Sequence, residues 1–318
     1  MKSVKSRINP ACVMGAIALL ATQAAFVAHA ADAPPASDKA PPTYAELLAA
    51  SKPADWRALI PENTLYMELP SGRVIIELSP EHAPNSAANI RTLVREGYFD
   101  GLAIIRSQDN YVVQWGDPTE KKPIKTAKKT LPPEFTVPIA KKDMSFTRLP
   151  DIDGYAKQVG FSNGFYAARS ETDTDTWLAH CYGAVGVGRD NAPDSGSGAE
   201  LYVVTGHAPR HLDRNIALVG RVVAGMPLLS SLPRGTGSLG FYEKTEQHVP
   251  IRSIRIASDV PSAERARLEV VRTDTALFGR LVESLRNRGG DWYKVPAGHI
   301  ELCNMPIAVR PVAAKGNP

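Results

Sequence analysis

The chain has 318 residues, 43% of them hydrophobic and 22% charged, a composition that fits a globular protein and excludes disorder, collagen and coiled coil. Its formal charge of +4 includes Lys2, Lys5 and Arg7; without those three, 34 basic residues face 33 acidic ones. A surface so near neutrality excludes nucleic acid as the principal partner, because phosphate binding needs concentrated positive charge.

Residues 1–30 read as a cleaved signal peptide, with three positive charges, an apolar run over 11–21 and the small residues Ala28 and Ala30 at both cleavage-determining positions. Thr22, Gln23 and His29 interrupt the run, which falls short of the roughly 20 apolar residues a membrane span requires. Cleavage before Ala31, no membrane span afterwards, and a periplasmic or secreted location are expected. Residues 31–62 are rich in Pro and Ala, with one short helical possibility at 44–50, and read as a spacer with little capacity to form a core.

Folded sequence is expected over 63–257. Strand-like runs at 65–69 and 73–78 flank Pro70-Ser71-Gly72 and predict a hairpin. Pro84 then opens a helix over 84–96 with Ala87, Ile90, Leu93 and Val94 on one stripe and Gly97 at its end. Further strands are predicted at 102–106, 111–115, 184–187, 201–205, 217–223 and 251–256, and so many short strands suggest a barrel or sandwich. Between 119 and 181 no clear period exists. Its lysines read as a solvated loop, and Glu171 to Asp175 as a turn. Residues 258–318 form an extension, with a charged helix predicted at 263–288 and a final strand within 292–312.

Motif searches for covalent, metal and nucleotide chemistry come back empty. Ser195-Gly196-Ser197-Gly198 does not fit a nucleophile elbow, and Pro209 between His207 and His211 argues for a loop instead of a two-histidine metal face. No metal site or cofactor is expected. In an oxidising compartment Cys181 and Cys303 either pair or remain two buried thiols.

Gly97-Tyr98-Phe99-Asp100-Gly101, the spacing from Arg106 to Gln114, and Gly116-Asp117 form one block. Gly183-Ala184-Val185-Gly186-Val187-Gly188, Leu201 to Thr205, Leu212-Asp213 and Gly220-Arg221-Val222-Val223 form another. In this order they resemble the cyclophilin-type peptidyl-prolyl cis-trans isomerases. The resemblance implies a mostly β fold: a closed antiparallel β-barrel with flanking helices, an insert at about 119–181, and a C-terminal helical extension, 258–318, packing on the domain. It also implies an enzyme acting as a monomer on proline-containing polypeptides and assisting the folding of exported proteins. By the family pattern Arg106 is the catalytic cation, and Tyr111, Gln114, Val187, Gly188, Glu200, Tyr202, His211 and Leu212 bind substrate. The chain departs from the pattern in having Ile105 where His is common, Trp115 for Gly, Glu200-Leu201-Tyr202 for Gln-Phe-Phe, and His211 near the place of a pocket Trp. These departures motivate an alternative, a proline-peptide docking module or chaperone with little or no turnover.

Overall fold

The computed structural model describes residues 41–117, 119–139, 144–289 and 292–312, so the signal peptide read over 1–30 lies outside the described residues. The described chain enters through α1 (Tyr44–Ala49), whose amino end is closed by reciprocal hydrogen bonds between Thr43 and Glu46, and β1 (Trp56–Ala58). The predicted hairpin follows as β2 (Thr64–Leu69) and β3 (Gly72–Leu78), in register with Leu69 opposite Gly72. Helix α2 (Pro84–Arg95) has proline in its first turn and buries Ala87, Ile90, Leu93 and Val94, as its stripe predicts. Then come β4 (Ala103–Ser107) and β5 (Val112–Gly116), the short strands β6 (Val137–Pro138) and β7 (Thr147–Arg148), and β8 (Gln158–Ser162), β9 (Phe165–Arg169) and β10 (Asp175–Leu178). The remaining elements are β11 (Ala184–Val187), β12 (Leu201–Val204), β13 (Leu218–Ala224), α3 (Met226–Ser230), β14 (Val249–Pro250), β15 (Ser253–Ile256), β16 (Leu268–Val271), α4 (Ala276–Arg286) and β17 (Val309–Pro311).

The largest sheet has nine strands in the order β14-β4-β5-β12-β11-β13-β3-β2-β15. The expectation of a closed barrel is corrected here: the sheet is open and strongly curled, and its edges share no ladder. One chain segment explains why. Val249 and Pro250 pair with β4, the Ile251 N–H donates to Leu102, the Arg252 N–H donates to Glu68, and Ser253 to Ile256 pair with β2. The segment changes partner at Ile251-Arg252, so it lines both edges without joining them. Inside the curl Leu65, Met67, Ile76, Ile104, Trp115, Leu201 and Val219 pack with the α2 stripe in the main core.

The region 119–181 is not the irregular loop its lack of period suggests. It supplies a five-stranded antiparallel sheet, β6-β10-β9-β8-β7, and Glu134, which accepts from the Asn85 and Ser86 N–H groups at the start of α2. There a carboxylate meets the positive end of the helix dipole. The stretch read as a spacer also differs from expectation: Leu47 and Trp56 are buried with Phe161, Trp177, Val270, Phe278, Leu281, Leu302 and Met305 in a second core. Nor is 263–288 one helix. Leu268–Val271 is a strand between β1 and β17, and α4 starts only after Thr275, whose side chain accepts from the Phe278 N–H. Cys181 and Cys303 are bonded to each other, with Cα atoms 5.0 Å apart, and tie the tail into this core.

Candidate active site

Strands β4 and β5 pair with Ala103 opposite Gly116, Ile104 opposite Trp115, and Arg106 opposite Gln114. Ile105 is therefore a bulge residue with no counterpart on β5; its carbonyl accepts from the Tyr242 N–H instead. Strict alternation would put Ile104 and Arg106 on one face. The bulge instead leaves Ile104 with Trp115 in the core and re-aims Arg106 to join Gln114 on the other side. Strand β12 continues the pattern, with Leu201 opposite Trp115 and Tyr202 opposite Gln114.

Arg106, Gln114 and Tyr202 thus share the wall of a cleft of about 640 Å³, together with Tyr111, Gly188, Glu200, Leu212, Ile216, Leu239 and Phe241. The Arg106 guanidinium donates from Nε to the Leu239 carbonyl (2.7 Å), from one terminal nitrogen to Gln114 Oε1 (2.9 Å), and from the other to Gln108 Oε1. Its carbon lies 5.6 Å from the centre of the Tyr111 ring and 5.3 Å from that of Phe241, distances at which a cation is attracted by an aromatic face. Burial lowers its pKa, yet a guanidinium begins so far above neutrality that it stays charged. Gln114 is held at its other end, where Nε2 donates to Glu200 Oε2 (2.9 Å). Burial raises the Glu200 pKa, Gln114 opposes the rise, and Asp190, Glu120 and Asp117 add to it. The arrangement offers a fixed cation beside the rings of Tyr111, Tyr202 and Phe241, in a cleft also lined by Asp117, Glu120, Lys122, Arg189 and Ser197.

The family model described as cyclophilin type peptidyl-prolyl cis-trans isomerase/CLD matches residues 64–257. The chain belongs to this family. A probable peptidyl-prolyl cis-trans isomerase of Brucella suis is 27% identical over 177 residues, which cover 55% of this chain and 74% of that protein. A peptidyl-prolyl cis-trans isomerase-like 1 of Gibberella zeae is 25% identical over 195 residues, 61% of this chain and 95% of its own. The crystal structure of cyclophilin AquaCyp293 from Hirschia baltica is similar over 86% of this chain and 100% of that one, with a TM-score of 0.65 and 26% identity. This cyclophilin is a peptidyl-prolyl cis-trans isomerase that acts on proline-containing polypeptides.

Not every residue expected at the site lies there. Of the nine, Arg106, Tyr111, Gln114, Gly188, Glu200, Tyr202 and Leu212 line the cleft of this cyclophilin. Val187 belongs to the main core instead, because strand alternation turns it to the opposite face from Gly186 and Gly188. His211 is exposed on the turn Arg210–Leu212 and is absent from the cleft wall; its neighbour Leu212 lines the cleft.

Ile216, which lines the cleft beside Leu212, and four further contributors went unread in the sequence. Leu239 and Phe241 come from the loop after α3, which reaches the cleft by a bridge between Arg106 and Phe241. A signal existed in the glycines at 235, 237 and 240. Gly240 has φ +77°, and a Cβ there would lie 2.5 Å from the Gln108 Cα, so only glycine lets the loop approach this closely. Gln108 itself holds Arg106. His180 is the fourth, completely buried, with its Nε2 2.8 Å from the Tyr202 hydroxyl.

Proposed function

We propose that Arg106 is the catalytic residue of this isomerase and that Tyr111, Tyr202, Leu212 and Phe241 receive the substrate proline. The prolyl amide faces a rotation barrier of about 18–20 kcal/mol because its nitrogen lone pair is delocalised into the carbonyl. At the top of that barrier the lone pair is localised on a pyramidal nitrogen, and a preplaced cationic donor favours that state over the planar amide. No bond is broken, so the reaction requires no nucleophile. A guanidinium has five N–H groups, and Leu239, Gln114 and Gln108 take three of Arg106's, leaving two for substrate. That fixed fork beside Tyr111, Tyr202, Leu212 and Phe241 is the observation that carries the assignment. Gln114 then has two duties, orienting Arg106 through Oε1 and bonding the substrate backbone. Exchange NMR on an Ala-Pro peptide tests the assignment, since line broadening from catalysed exchange is expected with the wild type and lost in Arg106→Ala.

The protein is exported in this reading, with proline-containing segments of other exported proteins as its clients. Two independent features support export: the leader-like pattern over 1–30 and the bond between Cys181 and Cys303, a linkage that persists in oxidising compartments. Among the described residues no helix is long and apolar enough to cross a membrane. Mass spectrometry of the protein purified from cells tests this, with a chain starting at Ala31 expected and an intact amino terminus speaking against it.

A further inference from the structure

We infer that His180 is a positioning residue of the proline pocket, which draws the Tyr202 hydroxyl away from substrate and fixes the ring against which the proline packs. The inference rests on the assignment of Tyr202 to that pocket. A phenol in an apolar hollow carries a hydroxyl that must be bonded, because leaving it buried and unpaired is costly. Here the hydroxyl is 2.8 Å from His180 Nε2, and the two rings lie within 11° of parallel.

The roles in this contact follow from the groups behind it. Asp213 places Oδ1 2.8 Å from His180 Nδ1 and 3.0 Å from the His180 backbone nitrogen, while its Oδ2 accepts from Arg210 Nε at 2.6 Å. Arg210 also donates to both carboxylate oxygens of Asp153, at 2.9 and 3.2 Å. Burial works to raise the Asp213 pKa, but the bond from His180 and the charge of Arg210 outweigh it and hold the group low. An ionised carboxylate only accepts, so His180 Nδ1 carries the proton and donates. Burial lowers the His180 pKa despite Asp213, and so the ring has this one proton. Nε2 is then a bare acceptor, and Tyr202 must donate to it. Every proton in the chain from Arg210 to Tyr202 has one assigned place.

The ring is confined from its other side as well. Gly186 lies opposite Tyr202 in the sheet, and a Cβ there would stand 2.2 Å from the Tyr202 Cζ and 2.3 Å from its hydroxyl oxygen. Tyr202 thus lies over a glycine on β11 and is bonded at its tip by His180, which follows β10. Asp153 sits between β7 and β8, so two anchors of the chain belong to the region 119–181 that supplies the five-stranded sheet. That sheet therefore has a direct physical connection to the pocket.

The experiment is exchange NMR on an Ala-Pro peptide over a range of concentrations, giving kcat and KM for the wild type, His180→Leu, His180→Gln, Tyr202→Phe, His180→Leu/Tyr202→Phe and Tyr202→Ala, each checked for folding by its Tm. One neutral hydrogen bond corresponds to roughly a five- to tenfold change. His180→Leu is expected to raise KM by that factor while kcat moves less than about threefold on the same scale, and His180→Gln, whose amide oxygen accepts from Tyr202, recovers most of it. In the Tyr202→Phe background the His180→Leu change costs nothing further in KM. A folded His180→Leu with wild-type KM, a lowered Tm alone, or equal costs in both backgrounds overturns the inference. Wild-type KM in Tyr202→Ala overturns the pocket assignment itself, and is a separate result. Should His180→Leu not fold, the ring 15N shifts of His180 in the wild type decide: Nδ1 protonated and Nε2 bare are expected, and a proton on Nε2 refutes the inference.

Discussion

Replacing Arg106 by alanine removes the group on which the proposed mechanism depends. In the wild type Leu239, Gln114 and Gln108 immobilise the guanidinium, so little reorganisation is left for the moment when the prolyl nitrogen becomes pyramidal. A preorganised donor of this kind contributes about 2.7–4 kcal/mol in other enzymes, or about 10²–10³ in rate. Arg106→Ala is accordingly expected to lower kcat/KM by roughly 10²–10³-fold. The change removes three hydrogen bonds from a charged donor, each worth about 1.5–3 kcal/mol, while the Gln114 side chain keeps its bond to Glu200, so the Tm of Arg106→Ala is measured alongside its activity. Arg106→Lys retains the charge but not the three-way fork, and it is expected to remain at least about tenfold below the wild type. The assay is exchange NMR on an Ala-Pro peptide with catalytic amounts of enzyme, alongside a binding titration of the same peptide. Activity of Arg106→Ala within threefold of the wild type would refute the assignment.

Glu200→Ala frees Gln114 and is expected to reduce kcat/KM about five- to tenfold, whereas Glu200→Gln keeps an oxygen for Gln114 Nε2 and stays near the wild type. Because burial raises the Glu200 pKa, any change in kcat/KM caused by its protonation is expected above the pH at which an exposed glutamate titrates, and is absent in Glu200→Gln. The bond from Cys181 to Cys303 closes a loop with a sequence separation of 122, for which the chain-entropy model gives about 5 kcal/mol; denaturant titration of Cys181→Ser/Cys303→Ser measures it, and an unchanged midpoint contradicts it. Stability is also expected to depend on pH through His180, whose native pKa lies below the ordinary 6.5. Below 6.5 the unfolded chain takes up a proton that the native chain does not, so stability falls with pH by up to about 1.36 kcal/mol per unit until the native pKa is reached. Glu200, raised in the native state, acts in the opposite sense, and the difference between wild type and His180→Gln isolates the histidine. Parallel stability curves for the two proteins would count against the buried neutral ring.

What the sequence revealed depended on how far apart the interacting residues lie. The α2 stripe repeats every turn and was visible in local spacing, whereas Arg106 and Gln114, which face each other across a single hairpin, were singled out only by the resemblance to the cyclophilin pattern. The bulge at Ile105 was not visible, although it decides which way Arg106 points, because a bulge leaves no trace in the order of apolar residues. Leu239 lies 133 positions from the arginine it holds, on a loop without period, and His180 meets Tyr202 across 22 positions and an intervening turn. The five-stranded sheet escaped notice for another reason. Val159 to Ser162 are buried without alternation and β6 and β7 have two residues each, so a period of two never develops. The strand predicted at 251–256 contains β15, but nothing in the sequence shows that Val249-Pro250 pairs with β4 while Ser253 to Ile256 pair with β2. In 263–288 apolar residues in Leu268–Val271 and in α4 merged into a single helical signal, and only Thr275 as an amino-terminal cap separates them.

The second core has a temporal consequence. Its members run from Leu47 through Phe161 and Trp177 to Phe278 and Met305, so no contiguous portion of the polypeptide contains it. The main core, by contrast, has all its buried members within Leu65 to Ile256. During synthesis from the amino end, Leu47 and Trp56 must wait for almost the whole chain to emerge before they find their neighbours. Contacts of such long range are slow to form, and exposed apolar surface invites association in the interval. The second core therefore cannot be complete without the tail that Cys303 bonds to Cys181.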